Sequence, residues 1–194
     1  MRRTASLSLV AVLVAALASS CTRSAGEQSG PGLVAQNKPF PHLSGPAVGG
    51  GTFDTSKLAG KPFILNVWAT WCGPCAREQP ELRLLQQHYG DRVGFMGIDY
   101  RDDSAAAKAW LEQFGVHYPS LSDPSGRFAK DLGFPFLPDT YVVDATGTIR
   151  FAIFGETNRA QLQELLDRLM AEQASSPSGG TPAGTPGAPS GATP

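Results

Sequence analysis

Short apolar runs and amphipathic stretches alternate along the middle of the chain. Residues 63–68 are almost wholly apolar and end beside a Cys/Gly/Pro turn, which is typical of a buried central strand leading into an active-site loop. After the turn, apolar side chains recur at helical spacing, at Leu82, Leu85 and Tyr89. We therefore predict a strand followed by a helix that ends at Gly90.

A second strand and a second helix follow the first pair. Residues 93–98 form the next apolar run, and Asp102, Asp103 and Ser104 are candidates to cap a helix that extends to Phe114. This alternation of strands and helices predicts a parallel sheet with right-handed crossovers.

The last part of the domain predicts a hairpin and a helix. Residues 141–143 and 149–153 flank a turn sequence at 144–147, so we expect an antiparallel hairpin that closes the sheet. A final helix starts near Thr157 or Asn158 and buries four leucines, Leu162, Leu165, Leu166 and Leu169.

The amino-terminal segment has the pattern of an export signal. Arg2 and Arg3 precede an apolar run over residues 7–18 that only Ser8 interrupts. This run is shorter than the about 20 apolar residues that a membrane-spanning helix needs. We expect residues 1–20 to be a signal peptide for general secretion, with a twin-arginine signal as the alternative.

Residues 18–21, Ala-Ser-Ser-Cys, resemble a bacterial lipobox. The resemblance implies that Cys21 becomes the lipid-modified first residue of the mature protein. Ala18 stands where lipoboxes usually carry leucine, so ordinary cleavage with release into solution stays an alternative. An unmodified thiol at Cys21 would be prone to stray pairing in an oxidising compartment.

Composition separates both ends of the chain from its middle. Residues 174–194 contain only Ala, Ser, Pro, Gly and Thr, which predicts a disordered tail. A wall-associated spacer or an O-glycosylation site is the functional alternative to a dispensable tail. Residues 21–36 predict a flexible tether, so the folded domain spans residues 37–173.

Length, charge and cysteine content narrow the class of protein. The chain has 194 residues, a formal net charge of −1 and three cysteines. This length fits one domain, and the near balance of charges gives no indication of a nucleic-acid partner. Three cysteines are too few for a scaffold held together by disulfides, so each needs its own explanation.

Cys72 and Cys75 form a Cys-Gly-Pro-Cys motif directly after the predicted buried strand. The first sulfur then lies at the amino terminus of the next helix, where unpaired N–H groups and the helix dipole favour a thiolate. We predict that Cys72 is the nucleophile and that Cys75 resolves the mixed disulfide with a substrate. Pro74 is tolerated because the first helical turn has no N–H partner to lose.

An inert buried disulfide and half of a zinc site are the alternatives for this motif. A zinc site needs four ligands, commonly a second pair at similar spacing. His42, His88 and His117 are scattered, and no two of them share a ligand spacing. We therefore expect redox chemistry that uses neither a metal nor a cofactor.

Residues 38–169 resemble the thioredoxin superfamily and, within it, the exported TlpA-like and ResA-like proteins of cytochrome c maturation. The resemblance is carried by Asn-Val-Trp-Ala-Thr-Trp-Cys-Gly-Pro-Cys at residues 66–75, by Pro80, which should kink its helix, and by residues 137–147. It implies an α/β thioredoxin fold, in which helices flank a central mixed sheet. It also implies the N-terminal hairpin extension of TlpA-like proteins.

The resemblance also assigns a substrate site. It implies that Pro138 is the cis-proline of the fold and that the backbone at Leu137 faces the cysteine motif and pairs with a substrate chain. Pro135 is a nearby competitor for the cis-proline role. The remaining substrate-binding residues implied by the resemblance are Trp71, Gly73 and Pro74.

Three positions refine the expected site. Asn66 stands where thioredoxins keep a buried aspartate, and Phe136 stands where the family often has glycine. Glu78 occupies the position of an active-site glutamate in ResA-like proteins, one helical turn after Cys75. There it disfavours ionisation of that thiol or shuttles its proton, whereas the alternative is an acid exposed on the helix surface.

The Gly-Pro pair between the cysteines resembles that of reducing thioredoxins, whose potential is about −270 mV. We therefore expect an enzyme that reduces disulfides of exported clients such as apocytochrome c, with a disulfide-forming oxidase as the alternative. The resemblance implies a membrane electron donor of the CcdA or DsbD kind. It further implies a protein held on the outer face of the cytoplasmic membrane through Cys21, or soluble in the periplasm if Cys21 is not lipidated.

Two other activities of this fold fit the sequence less well. A peroxiredoxin motif places Thr three residues before its reactive cysteine, whereas Thr70 lies two residues before Cys72. A copper-delivery protein would space its cysteines more widely and add a distal histidine. We therefore expect neither a thiol peroxidase nor a copper carrier.

Overall fold

The computed structural model describes residues 32–133 and 136–175. The predicted signal peptide, Cys21, Pro135 and the tail from residue 176 onward lie outside the described residues. The strands of the described part are β1 (Leu33–Pro39), β2 (Ser44–Pro46), β3 (Thr52–Asp54), β4 (Phe63–Trp68), β5 (Gly94–Tyr100), β6 (Ser120–Asp123), β7 (Asp139–Val143) and β8 (Thr148–Phe154). Its α-helices are α1 (Gly73–Tyr89), α2 (Ser104–Phe114), α3 (Arg127–Leu132) and α4 (Arg159–Ser175).

A mixed sheet with the strand order β1-β8-β7-β4-β5-β6 forms the centre of the fold. Strands β4, β5 and β6 are parallel neighbours, whereas β7 and β8 form an antiparallel hairpin whose first strand pairs with β4. This arrangement confirms the predicted thioredoxin fold. It also confirms the predicted parallel strands and the closing hairpin.

Helices cover both faces of the sheet because each face carries its own apolar cluster. On one face, α1, α2 and α4 bury apolar side chains that include Leu85, Trp110 and Leu166. On the other face, α3 and the loops around β2 and β3 cover a second cluster. Trp68 at the end of β4 stacks on Trp110 of α2 with ring centroids 4.2 Å apart, so α2 is fixed close to the active-site end of the sheet.

Strand β1 begins inside the segment that the sequence pattern assigned to the tether. It pairs with β8, with Leu33 opposite Ile153, so the sheet takes in residues 33–36 ahead of the predicted domain start at Asn37. At the other end, α4 continues to Ser175, which is two residues into the predicted tail. Both ends of the domain are therefore longer than the composition indicated.

The predicted N-terminal hairpin extension stays a prediction, because residues 1–31 lie outside the described part. Strands β2 and β3 form a separate two-stranded antiparallel sheet, with Gly45 opposite Phe53. In the part of the chain that the structure describes, no helix has both the length and the apolar composition of a membrane span.

Candidate active site

The cysteine motif lies where the buried strand β4 gives way to helix α1. All six residues of β4 are buried, and Cys72 is the N-cap residue of α1 in an extended backbone conformation. Pro74 lies in the first turn of the helix, as predicted, and α1 ends at Gly90, as predicted. The strand therefore delivers Cys72 to the helix amino terminus.

Cys72 and Cys75 are joined by a disulfide bond, and their Cα atoms are 5.3 Å apart. The Cys75 N–H donates a hydrogen bond to Cys72 Sγ over 3.2 Å. Cys72 keeps 5% of its surface exposed, whereas Cys75 is fully buried. Of the two cysteines, Cys72 is therefore the one with surface open to solvent, and its sulfur lies where the helix amino terminus stabilises negative charge.

Glu78 is buried beneath the motif, so the alternative of an acid exposed on the helix surface is wrong. Only 1% of its surface is exposed. One carboxylate oxygen accepts a hydrogen bond from Asn66 Nδ2 over 2.8 Å, and the other accepts from the Thr157 N–H over 3.1 Å. Burial raises the pKa of Glu78 to about 7, although both hydrogen bonds act in the opposite direction.

Asn66 of β4 connects this carboxyl to strand β7. Its amide also donates to Thr140 Oγ1 over 3.0 Å, so β4, α1 and β7 meet at one buried side chain. Thr140 lies two residues after Pro138 in the chain. The hydrogen bonds of Asn66 therefore link the helix that carries the cysteines to the strand that follows the proline loop.

The Leu137–Pro138 peptide bond is cis, as predicted. The loop that contains it lies opposite the cysteine motif, and the two enclose an open groove of about 430 Å³. The residues that line the groove are Trp71, Cys72, Gly73, Pro74, Tyr100, Phe136 and Leu137. Five of the predicted site residues, Trp71, Cys72, Gly73, Pro74 and Leu137, therefore share one surface, whereas Cys75 and Glu78 lie beneath it.

Two aromatic side chains form exposed lips of this groove. Trp71 is 61% exposed and Phe136 is 55% exposed, although both are large and apolar. Exposed apolar surface of this kind marks a site of contact with another molecule. Tyr100 also lines the groove from the end of β5, and the sequence patterns gave no indication of this position.

Asp102 holds the active-site loop through two hydrogen bonds, whereas its position in the sequence indicated only a helix cap. Its carboxylate accepts hydrogen bonds from the N–H and the hydroxyl of Thr70, 32 residues earlier in the chain. The cap of α2 is Asp103, whose carboxylate accepts from the N–H groups of Ala105 and Ala106. Local spacing identified the cap region correctly but contained no signal for the long-range contact with Thr70.

Two further buried carboxyls lie at the ends of β5 and β7, the two strands that flank β4. Asp99 of β5 is opposite Trp68 of β4, and Asp139 is the residue directly after Pro138. Burial raises the pKa of each to about 7, with the charge of Asp102 adding to the effect at Asp99. Perturbed carboxyls of this kind cluster at functional sites. Neither carboxyl belongs to a motif that predicted a functional role for it.

The described residues contain no group of three or more His, Cys, Asp or Glu side chains placed to hold a metal ion. His42 instead pairs with Asp54, with Nε2 2.9 Å from the nearer carboxylate oxygen.

A family model and related protein sequences both match this chain. The Redoxin family matches residues 35–167. The thiol:disulfide interchange protein DsbE of Pseudomonas aeruginosa is 41% identical over 145 residues, which cover 70% of this chain and 77% of the relative. The Vibrio cholerae protein of the same name is 36% identical over 145 residues, covering 72% and 77% of the two chains.

Solved structures show the same fold. A secreted Mycobacterium tuberculosis disulfide oxidoreductase, described as homologous to Escherichia coli DsbE, superposes with a TM-score of 0.61 at 26% identity, covering 66% of this chain and 96% of that one. A DsbF homologue from Corynebacterium diphtheriae gives a TM-score of 0.68 at 24% identity, covering 74% and 97%. The chain therefore belongs to the Redoxin family, and it is a thiol-disulfide oxidoreductase related to the DsbE thiol:disulfide interchange proteins.

Proposed function

We propose that this protein reduces disulfides of exported client proteins such as apocytochrome c, with Cys72 as nucleophile and Cys75 as resolving thiol. The observation that carries the proposal is the disulfide at the start of α1, whose Cys72 end reaches solvent beside an open groove. The Gly-Pro pair between the cysteines, which resembles that of reducing thioredoxins, supports the direction.

The reaction consists of two thiol-disulfide exchanges. The Cys72 thiolate attacks one sulfur of the client disulfide, which forms a Cys72–client disulfide and releases the other client sulfur as a thiolate. The Cys75 thiolate then attacks Cys72 Sγ, which forms the Cys72–Cys75 disulfide and releases the second client thiolate. Two electrons pass to the client, whose two thiolates take up protons. A donor dithiol of the CcdA or DsbD kind must then return two electrons and two protons to the protein.

We propose that Glu78 accepts the proton of Cys75 in the second exchange. It lies one helical turn after Cys75, and both side chains are buried, so bulk water is poorly placed to take that proton. Because its pKa is about 7, the carboxyl changes charge near neutral pH, which suits a group that takes up and releases a proton.

Client binding is proposed for the groove between Trp71, Gly73 and Pro74 on one side and Leu137, held by the cis bond to the buried Pro138, on the other. The two aromatic lips offer apolar contact, and the backbone at Leu137 offers hydrogen-bonding groups to an extended client chain. The arrangement fits a polypeptide better than a compact small molecule, because the groove is open to solvent and does not enclose a ligand.

We also propose that the protein is exported and anchored by lipid at Cys21 on the outer face of the cytoplasmic membrane. The signal-like residues 1–20 and the lipobox-like residues 18–21 support this location. The Mycobacterium tuberculosis protein with the same fold is described as secreted. Residues 22–32 would then connect the anchor to β1.

The roles of the two cysteines can be separated by trapping. Reduced Cys75→Ser protein should form a stable mixed disulfide with a disulfide-bridged peptide, and its turnover should fall at least about a hundredfold because the intramolecular second exchange is lost. Intact-mass spectrometry checks the adduct. Cys72→Ser is the control and should form none. Trapping by Cys72→Ser but not by Cys75→Ser would reverse the assigned roles.

The proposed role of Glu78 predicts a pH-dependent second exchange. Above pH 7 the Glu78 carboxylate is ionised and accepts the proton, so the wild-type rate of resolution should rise as pH increases through about 7. Glu78→Gln should slow resolution at pH 8 by at least about tenfold and remove the inflection near pH 7. Stopped-flow fluorescence with a preformed mixed disulfide measures this rate.

Glu81→Gln is the matched control for that measurement. Glu81 lies one helical turn beyond Glu78 and is not buried, so the same charge is removed outside the site. Its pH profile should follow that of the wild type. An unchanged profile in Glu78→Gln would show that this carboxyl does not handle the Cys75 proton.

The anchor is tested by expressing the full chain in a bacterial host. Wild-type protein should incorporate labelled fatty acid and partition into detergent, whereas Cys21→Ser should do neither. Labelling that persists in Cys21→Ser, or that is absent from the wild type, would contradict the proposed anchor.

A further inference from the structure

A cluster of cationic side chains lies beside the groove at Cys72. Arg101, Arg127 and Lys130 line an open depression of about 570 Å³. Tyr100 lines both this depression and the groove, so the two are contiguous. We call the three cations the basic shelf. Because the whole chain carries a net charge of only −1, three neighbouring positive charges are a local feature and not a general property of the surface.

The backbone at the basic shelf is held in an uncommon conformation. Arg101 has φ of 49°, which only a few per cent of residues other than glycine adopt. Its N–H donates to the Asp123 carbonyl over 3.0 Å, and the guanidinium lies over the Tyr100 ring at 5.2 Å from the centroid. A Cβ atom at Gly126 would come within 2.9 Å of Arg101 Nε, so the glycine leaves room for this side chain. These contacts therefore hold the Arg101 guanidinium in a defined position beside Tyr100 and Gly126.

Helix α3 supplies the other two charges of the basic shelf. Arg127 and Lys130 are three residues apart on one helix, so they lie on the same face. The Arg127 guanidinium lies over the Phe128 ring at 4.6 Å from the centroid. All three cationic residues are exposed, and none forms an ion pair with any described residue.

Of the four acids closest in sequence to the basic shelf, three are engaged by other groups. The fourth, Asp131, follows Lys130 on α3, is exposed and forms no ion pair with any residue that the structure describes. The Asp102 carboxylate holds Thr70, and the Asp103 carboxylate caps α2. The Asp123 carboxylate accepts a hydrogen bond from the Ala129 N–H over 3.0 Å. These acids weaken the positive field without pairing with the cations, so hydrogen-bonding capacity of all three cations faces solvent.

We propose that the basic shelf binds an acidic side chain of the client polypeptide, an Asp or Glu that flanks the reacting client cysteine on the Tyr100 side of the groove. This inference rests on the proposed function, because the same polypeptide must place its disulfide at Cys72. The apolar lips hold the chain near the cysteine, and the shelf selects among clients by charge complementarity. Contacts of this kind at a rim act mainly on the association rate and weaken as salt is added.

Two disulfide-bridged peptides test the inference. They differ only in the residues that flank the bridge, which are Glu in one peptide and Gln in the other. Reduced wild-type protein should react with the Glu peptide roughly three- to tenfold faster at low salt, as expected for one or two exposed ion pairs. The preference should shrink at high salt. Stopped-flow Trp fluorescence gives both second-order rate constants.

Charge reversal shows whether the basic shelf is responsible. Arg127→Glu combined with Lys130→Glu should abolish or invert the preference for the Glu peptide. Lys57→Glu combined with Lys108→Glu removes the same number of positive charges from exposed positions in other elements, and it should leave the preference intact. Loss of the preference in both double variants would mean that only net charge matters, which would overturn the inference.

A small neutral substrate separates this inference from the function on which it rests. If the wild-type protein does not reduce 2-hydroxyethyl disulfide or either peptide, the proposed reductase activity is wrong. If it reduces both peptides at equal rates, the basic shelf does not select acidic clients. Equal rates together with binding to anionic lipid vesicles that Arg127→Glu/Lys130→Glu abolishes would assign the shelf to a membrane surface and would also overturn the inference.

Discussion

The junction between strand β4 and helix α1 is the constraint on which the active site depends. β4 is buried along its whole length and is paired on both sides, by β5 and by β7, so its end cannot shift without breaking two sets of backbone hydrogen bonds. Because the strand ends at Trp68, helix α1 must begin a few residues later, and Cys72 becomes its N-cap. The sheet therefore fixes the position of Cys72, the cysteine that keeps some exposed surface.

The same junction explains why a carboxyl group is buried at this position. An isolated ionised carboxylate is costly to bury, and Glu78 is tolerated because it receives hydrogen bonds from Asn66 and from the Thr157 N–H. An aspartate at position 66 would offer no N–H donor and would add a second charge beside the first. Asparagine suits this site because one amide donates both to Glu78 and to Thr140. The result is a Glu78 carboxyl group whose pKa, about 7, lies near neutral pH.

Sequence patterns predicted the parts of the fold that have strong periodicity. The apolar run at 63–68, the helical spacing up to Tyr89 and the four leucines of α4 all correspond to observed elements. Strand β6 and helix α3 were not predicted, because four and six residues are too few to establish a period. Residues 33–36 of β1 were assigned to the tether because most residues of this edge strand are exposed and do not alternate between apolar and polar.

The candidate site likewise has parts that the sequence predicted and parts that it did not. The cysteine pair and the cis-proline follow from contiguous motifs, whereas the contact of Asp102 with Thr70 and the basic shelf join residues that are distant in sequence. The carboxylate of Glu78 is also bonded by Thr157, which lies just before α4 and 79 residues later in the chain. Long-range packing of this kind leaves no local signal in the sequence.

The central claim, that the Cys72–Cys75 pair works as a reductant, is tested most directly by its reduction potential. Equilibration with dithiothreitol or glutathione buffers, followed by Trp fluorescence, measures this potential, with Cys72→Ser as the blank. The account predicts a value near the thioredoxin end of the range, about −270 mV. A value near that of strong oxidants, about −120 mV, would contradict it and indicate an enzyme that forms disulfides. A pair that does not titrate at all would contradict the redox assignment itself.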